Sequence, residues 1–475
     1  MSAGDEYPAS AAEILTRIRD GSLGIVEHTR HVIAAVERNK FLNAFTTFDP
    51  DQLLEQARQL EARPLRHREG LLYGLAIPVK DSVNVRGYPT TAGTRALAHF
   101  KPATDAPVVA ALRAAGAMVL GKTNLHELSY GWTSNNLAYG PVRNPYGLDR
   151  IPGGSSGGTA AAVAAGLAPF GVAEDTEGSI RVPAALCGIA GFRPSTGRYS
   201  TVGAVPISPL FDQIGPVARH AADLVLFDQV AGPDRDPVRS TPLKGLRLAV
   251  VRNPMWMDLH PDVEQTALHA LQQLREHGVE LVDCEFPGLE TLVGAICEPI
   301  QNHDVRVALD AFLAEHHAGV DFDGVVRSAS SDIRALFEHD VLPGGPGFVT
   351  EDRYRAMTQV ELPKLRRAYV EFFDRTRTQA LVFPTTRVTA PRIGEEDTVD
   401  IGGRRLDFTR AIAGNIAPGS TAGIPGLVLP IGRDPSGLPI SLEFDGPRDS
   451  DRFLLGLAPA LEQVFGRLAP PEPAA

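Results

Sequence analysis

An α/β fold is what this sequence predicts, and three observations predict it. Helical and strand-like patterns alternate from about Leu71 to Ala173. A Gly/Ser-rich loop runs into an Ala-rich stretch and then into a short apolar strand. No internal repeat, low-complexity tract or Ser/Gly linker divides the chain, so alternating elements must share a core.

The elements follow in order. Ser10 and Glu13 have capping-box spacing ahead of Ile14, Leu15 and Ile18, which places a first helix up to about Arg19, ending near Gly21. A second helix is expected from about Gly24 to Arg38. Leu71 to Lys80 is short, apolar and β-rich; Ala106 to Gly116 has helical periodicity, and Met118-Val119-Leu120 reads as a buried strand. Beyond Ser156 come the Ala-rich stretch Thr159 to Leu167, a strand from Pro169 to Ala173 and a turn from Glu174 to Ser179. From about Asp262 to Lys364 the chain is richer in Glu, His and Arg. Helical periodicity returns in Val263 to His277 and Val305 to His317, so this part is expected to lay helices and loops over one side. Pro470 to Ala475 reads as a frayed tail.

Bulk properties bound the function. The 475 residues are 43% hydrophobic and 22% charged, an ordinary globular composition with a sizeable core. A formal net charge of −11 disfavours nucleic acid and anionic lipid as partners, because both require clustered Lys and Arg. A small neutral or cationic substrate fits better. Cys187, Cys284 and Cys297 are widely spaced, without CxxC pairs or His neighbours at ligand spacing, and read as reduced thiols rather than a metal site. The opening residues lack the pattern of a signal peptide, and no uncharged apolar run approaches the ~18 residues of a membrane span, so a cytoplasmic protein is expected.

Several motifs are weaker than they look. Gly116 to Thr123 satisfies the P-loop pattern, but its intervening residues are strand-like where a phosphate cradle needs a loop. His126-Glu127 begins like a zinc-protease helix, yet position 130 is Tyr and the second ligand is missing. His316-His317 is expected on a solvated helix face and not as a metal pair, since adjacent residues of a helix point apart.

The strong signal lies between Lys80 and Ser179. Pro152-Gly-Gly-Ser-Ser-Gly-Gly158 is too dense in Gly and Ser for a helix or strand, and presents hydroxyls on an uncrowded backbone. Asp175-Thr-Glu-Gly-Ser-Ile-Arg181 sets a serine after a glycine turn at the apparent start of a short helix, where unpaired N–H groups can face a developing oxyanion. Alone, each is matched by an ordinary loop or helix cap. Together with Pro78-Val-Lys-Asp81, in this order and with steps of 75 positions from Lys80 to Ser155 and 24 from Ser155 to Ser179, they resemble the amidase-signature hydrolases. The resemblance continues through Gly121 to Asn124, Gly191-Phe-Arg-Pro194, Asp212-Gln-Ile-Gly-Pro216 and Ala422-Gly-Ile-Pro425, with only the middle matching poorly.

That resemblance implies a single domain over 1–475, a large twisted mixed sheet wrapped by helices, with a divergent, mainly helical substrate-side region at about 260–365. It implies a Ser-cisSer-Lys triad in which Ser179 is the nucleophile, Ser155 the bridging serine, joined to Gly154 by a cis peptide, and Lys80 the base. It further implies an oxyanion hole from the N–H groups of Thr176, Glu177, Gly178 and Ser179, substrate contacts from Ser129, Tyr130 and Gly154, and bracing of the turn by Asp175 and Arg181. Neither cofactor nor metal is implied. The partner is a small-molecule amide, with a homodimer left open.

The residue types support this chemistry. A serine hydroxyl attacks only as its proton leaves, and no histidine neighbours either serine motif, so lysine must accept the proton. Lys80 must then be neutral, a state that desolvation favours. Most relatives carry Gly where this chain has Glu177; a carboxylate turned inward would oppose the oxyanion, so Glu177 is expected to point outward. The stretches Val182 to Pro194 and Pro418 to Gly426 look most like indoleacetamide and mandelamide hydrolases, making aryl-acetamides the first expectation, with Tyr130 and Trp132 as aromatic walls. Anilides, carbamates and other small linear amides stay open, as do the amidase subunit of a tRNA-dependent amidotransferase and a non-catalytic binding protein on this fold.

Overall fold

The computed structural model describes residues 10–64, 69–234, 236–469 and 471. The first nine residues and most of the expected tail lie outside them. Ser10 caps the helix Ala11–Arg19 in a reciprocal box with Glu13, and the second helix is Ile25–Arg38.

Eleven strands form one mixed sheet. In chain order they are β1 (Phe45–Thr47), β2 (Ala76–Lys80), β3 (Met118–Thr123), β4 (Phe170–Asp175), β5 (Ala190–Arg193), β6 (Gln213–Ala218), β7 (Arg247–Val251), β8 (Glu280–Cys284), β9 (Ala380–Pro384), β10 (Gly426–Arg433) and β11 (Pro439–Asp445). Their spatial order is β1-β3-β2-β4-β6-β5-β10-β11-β9-β7-β8. β2 is parallel to both β3 and β4, while β4, β6, β5, β10 and β11 run antiparallel in succession. The central strands are fully buried, so they read as continuous apolar runs rather than as an alternation.

Two consequences position the site. The P-loop look-alike is strand β3, and its Lys122 is buried in an ion pair with Asp81 at 2.9 Å. Parallel pairing of β2 with β4 brings their C-terminal ends side by side, so Lys80, the last residue of one, lies next to the turn that leaves the other at Asp175. The C-terminal ends of parallel strands are where open α/β sheets bind ligands.

The middle region is mostly helical, as expected, with Pro261–Glu276, Cys297–Glu315 and Leu362–Thr376 its longest helices. It also supplies β8, which pairs in parallel with β7 at the sheet's far edge. Two π-helical turns, Phe337–Val341 and Met357–Glu361, interrupt it. His317 is exposed, but His316 is half-buried against the Phe312 ring at 4.4 Å, because Phe312 lies one helical turn before it.

Candidate active site

The helix Gly157–Ala164 begins directly after the Gly/Ser loop, and the loop is pinned from both sides. The Ser134 hydroxyl donates to the carbonyl of Gly153 at 2.9 Å, and the N–H of Ser156 donates to the carbonyl of Ser179 at 3.3 Å, tying the two serine segments together. The Gly154–Ser155 peptide is cis. Gly154 has no room for a side chain: a Cβ there would stand 2.7 Å from the backbone of Trp132 and Thr133. It packs against that stretch of chain, whose Trp132 lines the cavity described below.

Lys80 and Ser155 are fully buried and in contact, Lys80 Nζ donating to Ser155 Oγ at 2.7 Å. Lys80 also pairs with Glu174 at 2.8 Å, a partner the sequence did not single out. Glu174 faces onward as well: the Thr176 hydroxyl lies 2.9 Å from Glu174 Oε1 and 2.7 Å from Asp212 Oδ1. Ser179, 5% exposed, reaches the cavity wall.

Asp175 braces the turn. Its carboxylate accepts the N–H groups of Gly178 at 2.8 Å and Ile180 at 3.1 Å, together with Arg181 at 3.1 Å and Arg193 at 2.8 Å. Burial opposes its charge, yet Arg181 and Arg193 hold it well below the usual carboxylate range. Arg181 continues to Glu443 on β11 at 2.6 Å, anchoring the turn to the middle of the sheet. Because Asp175 takes the N–H of Gly178, that group is not free for an oxyanion as expected; of the four donors, Thr176, Glu177 and Ser179 are left.

Beside Ser179 is a cavity of about 210 Å³. Ser129, Tyr130 and Trp132 form one wall, and Glu298, Gln301 and Asn302 of the helix Cys297–Glu315 form another, with Leu336 and Asp340 beyond. The Ser129 hydroxyl is buried without a hydrogen-bond partner among the described residues. Tyr130 stands edge-on to Phe337, its hydroxyl 3.3 Å from the carbonyl of Gln301. The poorly matching middle region thus closes the pocket.

Glu177 corrects an expectation. Its side chain is buried in the cavity wall rather than turned outward, and its Oε2 accepts a hydrogen bond from Gln301 Nε2 at 2.7 Å. Burial, and then the charge of Glu298, push its carboxyl up to about 8, which favours the uncharged acid near neutral pH. The objection to an inward carboxylate, repulsion of the oxyanion, applies only to the ionised form.

His126 and Glu127 do not form a metal pair: His126 Nδ1 bonds with Thr133 Oγ1 at 3.1 Å, and Glu127 accepts the N–H of Ser330. Among the described residues no group of His, Cys, Asp or Glu is placed to hold a metal, and no helix is long and apolar enough to cross a membrane.

The family model described as Amidase matches residues 27–455. The chain belongs to the amidase family. An indoleacetamide hydrolase of Agrobacterium vitis is 36% identical over 458 residues, 96% of this chain and 97% of that protein. A mandelamide hydrolase of Pseudomonas putida is 37% identical over 440 residues, 90% of this chain and 85% of that one. A solved structure described as an amidase superimposes with a TM-score of 0.85 at 28% identity, covering 96% of this amidase and all of that chain. This amidase is therefore a hydrolase of carbon–nitrogen bonds built on an eleven-stranded mixed sheet flanked by helices.

Proposed function

We propose that this amidase hydrolyses small aryl-acetamides through an acyl-enzyme on Ser179, with Ser155 and Lys80 as its proton relay. The observation that carries the reading is the buried Lys80–Ser155 contact at 2.7 Å beneath a loop hydrogen-bonded to Ser179. Ser179 Oγ attacks the amide carbon while its proton passes to Ser155 Oγ, which gives its own to Lys80 Nζ. Charge develops on the carbonyl oxygen and is met by the N–H groups of Thr176, Glu177 and Ser179. As the C–N bond breaks, the relay runs in reverse and a proton leaves with the amine. Water then attacks the ester by the same route, releasing the acid. The substrate class is supported by the aromatic side chains of Tyr130 and Trp132 on the cavity wall and by the substrates for which the relatives are named.

A single methylene in a hydrophobic pocket is worth about 1–3 kcal/mol, or about 10- to 200-fold, and an aryl group buries more apolar surface than that. Ammonia release by the purified chain alone is therefore expected to show kcat/KM for indoleacetamide or mandelamide at least about tenfold above that for an aliphatic amide. Preference for a carbamate or an anilide, or a requirement for partner subunits, would refute the substrate assignment.

Glu177 gives a second expectation. Glu177→Gln reproduces the uncharged acid, so kcat at pH 6–7 is expected to stay within a few-fold of wild type. Above about pH 8 the wild-type side chain ionises beside the oxyanion and its rate falls, whereas the variant's rate persists. Stability shifts in the same sense. The folded-state value lies above the unfolded one, so wild type loses stability as pH rises from about 4.5 through about 8. Glu177→Gln is accordingly expected to raise Tm at pH 8.5 and to change it less at pH 5. A fall of about 10²-fold in kcat at neutral pH would show that the carboxyl has a direct part in the chemistry.

A further inference from the structure

The Thr176 hydroxyl has one hydrogen and two carboxyl neighbours, Glu174 Oε1 at 2.9 Å and Asp212 Oδ1 at 2.7 Å. It can donate to only one of them. The other contact is a hydrogen bond only if that carboxyl carries a proton and donates to Thr176 Oγ1. Glu174 is at the same time the ion-pair partner of Lys80, and all four residues are buried. The other oxygen of Asp212 is occupied by the N–H groups of Ile207 at 2.9 Å and Ser208 at 3.1 Å, so its free valence points at Thr176.

We infer that Asp212 and Thr176 are positioning residues that set the proton count of Lys80: when Asp212 loses its proton, Thr176 turns its hydroxyl from Glu174 to Asp212, and Glu174 takes the proton of Lys80. The inference rests on the proposed role of Lys80 as the base. While Asp212 is protonated, it donates to Thr176, Thr176 donates to the Glu174 carboxylate, and that carboxylate stabilises the Lys80 ammonium. When one proton leaves Asp212 for solvent, Thr176 donates to the new carboxylate. Glu174 Oε1 then faces an oxygen lone pair where it had accepted a hydrogen bond. The proton on Lys80 Nζ moves to Glu174, which now donates to Thr176 Oγ1, and Lys80 is left an uncharged amine facing Ser155. One proton has been released, and its absence appears at the base.

The surroundings place this switch at neutral pH. Burial, and then the charge of Glu174, push the Asp212 carboxyl up to about 7, against the hydrogen bonds of Thr176, Ser208 and Ile207. Arg193 on β5 and Tyr130 are its other charged or titratable neighbours, and Asp304, on the helix Cys297–Glu315, reaches the same loop through the Ser208 hydroxyl at 2.5 Å. Activity should rise with pH through the ionisation of Asp212, because the active form is the deprotonated one.

The test is the pH dependence of kcat/KM between pH 5.5 and 8.5 in the full chain, for wild type, Asp212→Asn, Thr176→Val and Thr176→Ser. Asn is an uncharged mimic of protonated Asp, with an N–H for Thr176 and an oxygen for the two backbone donors. Asp212→Asn should therefore lose the rise around pH 7 and lie about 10²-fold below wild type at pH 8. Thr176→Val should lose the rise as well, and Thr176→Ser should restore it. A wild-type-shaped profile in folded Asp212→Asn or Thr176→Val, scaled or not, would overturn the inference. Reaction of each variant with a fluorophosphonate separates the two readings: labelling of Ser179 with an unchanged profile defeats only the switch, whereas labelling elsewhere defeats the triad itself.

Discussion

Ser179→Ala is expected to abolish amide hydrolysis, lowering kcat by about 10⁴-fold or more, while leaving the fold intact. The size of the effect follows from covalency: without the hydroxyl there is no acyl-enzyme, and Ser155, buried under its loop with Lys80, has no route to the substrate carbon. The fold should survive because Asp175, Arg181 and Arg193 hold the turn through its backbone and the sheet, with no bond to the Ser179 side chain among them. Residual binding of an aryl-acetamide with an unchanged melting temperature is the expected companion result.

Lys80 should be nearly as costly, but its replacement needs more care. Lys80→Ala removes the proposed proton acceptor and also strands Glu174, a carboxylate without its cation in a buried site; breaking such a pair costs about 3–5 kcal/mol of stability. Loss of activity in that variant would mix chemistry with unfolding. Lys80→Met combined with Glu174→Gln removes both charges and keeps the volume, so it is expected to fold with a Tm near wild type and to lose about 10²- to 10⁴-fold in kcat. Folded protein at wild-type rate would remove Lys80 from the mechanism.

Much of this was legible in the sequence, for physical reasons that also explain what was not. The segments around Lys80, Ser155 and Ser179 are local patterns, two glycine-rich turns and the end of an apolar strand, which pointed to a triad only together, through their resemblance to a family. The capping box at Ser10 and the apolar run of β3 are likewise local, and both formed where expected. Glu174 was missed because its meaning lies across the sheet: only the parallel pairing of β2 and β4 shows that a carboxylate one residue before Asp175 meets Lys80. Glu177 was turned the wrong way for the same reason. Its partner, Gln301, lies 124 residues further along the chain, on a helix whose docking no local pattern records. The N–H of Gly178 was assigned to the oxyanion because the turn suggests it, whereas the carboxylate of Asp175 already holds it. Strand β8 escaped notice because it is an edge strand, half-exposed, with Glu280 and Asp283 interrupting its apolar residues.

The central claim is that Ser179 forms the covalent intermediate, and the most direct measurement is mass spectrometry of the full chain after reaction with a fluorophosphonate. One adduct per chain is expected, on the peptide containing Ser179, with loss of hydrolysis in step with labelling and no adduct in Ser179→Ala. An adduct on Ser155 or on another residue, or full hydrolytic activity in a Ser179→Ala chain that cannot be labelled, would contradict the account.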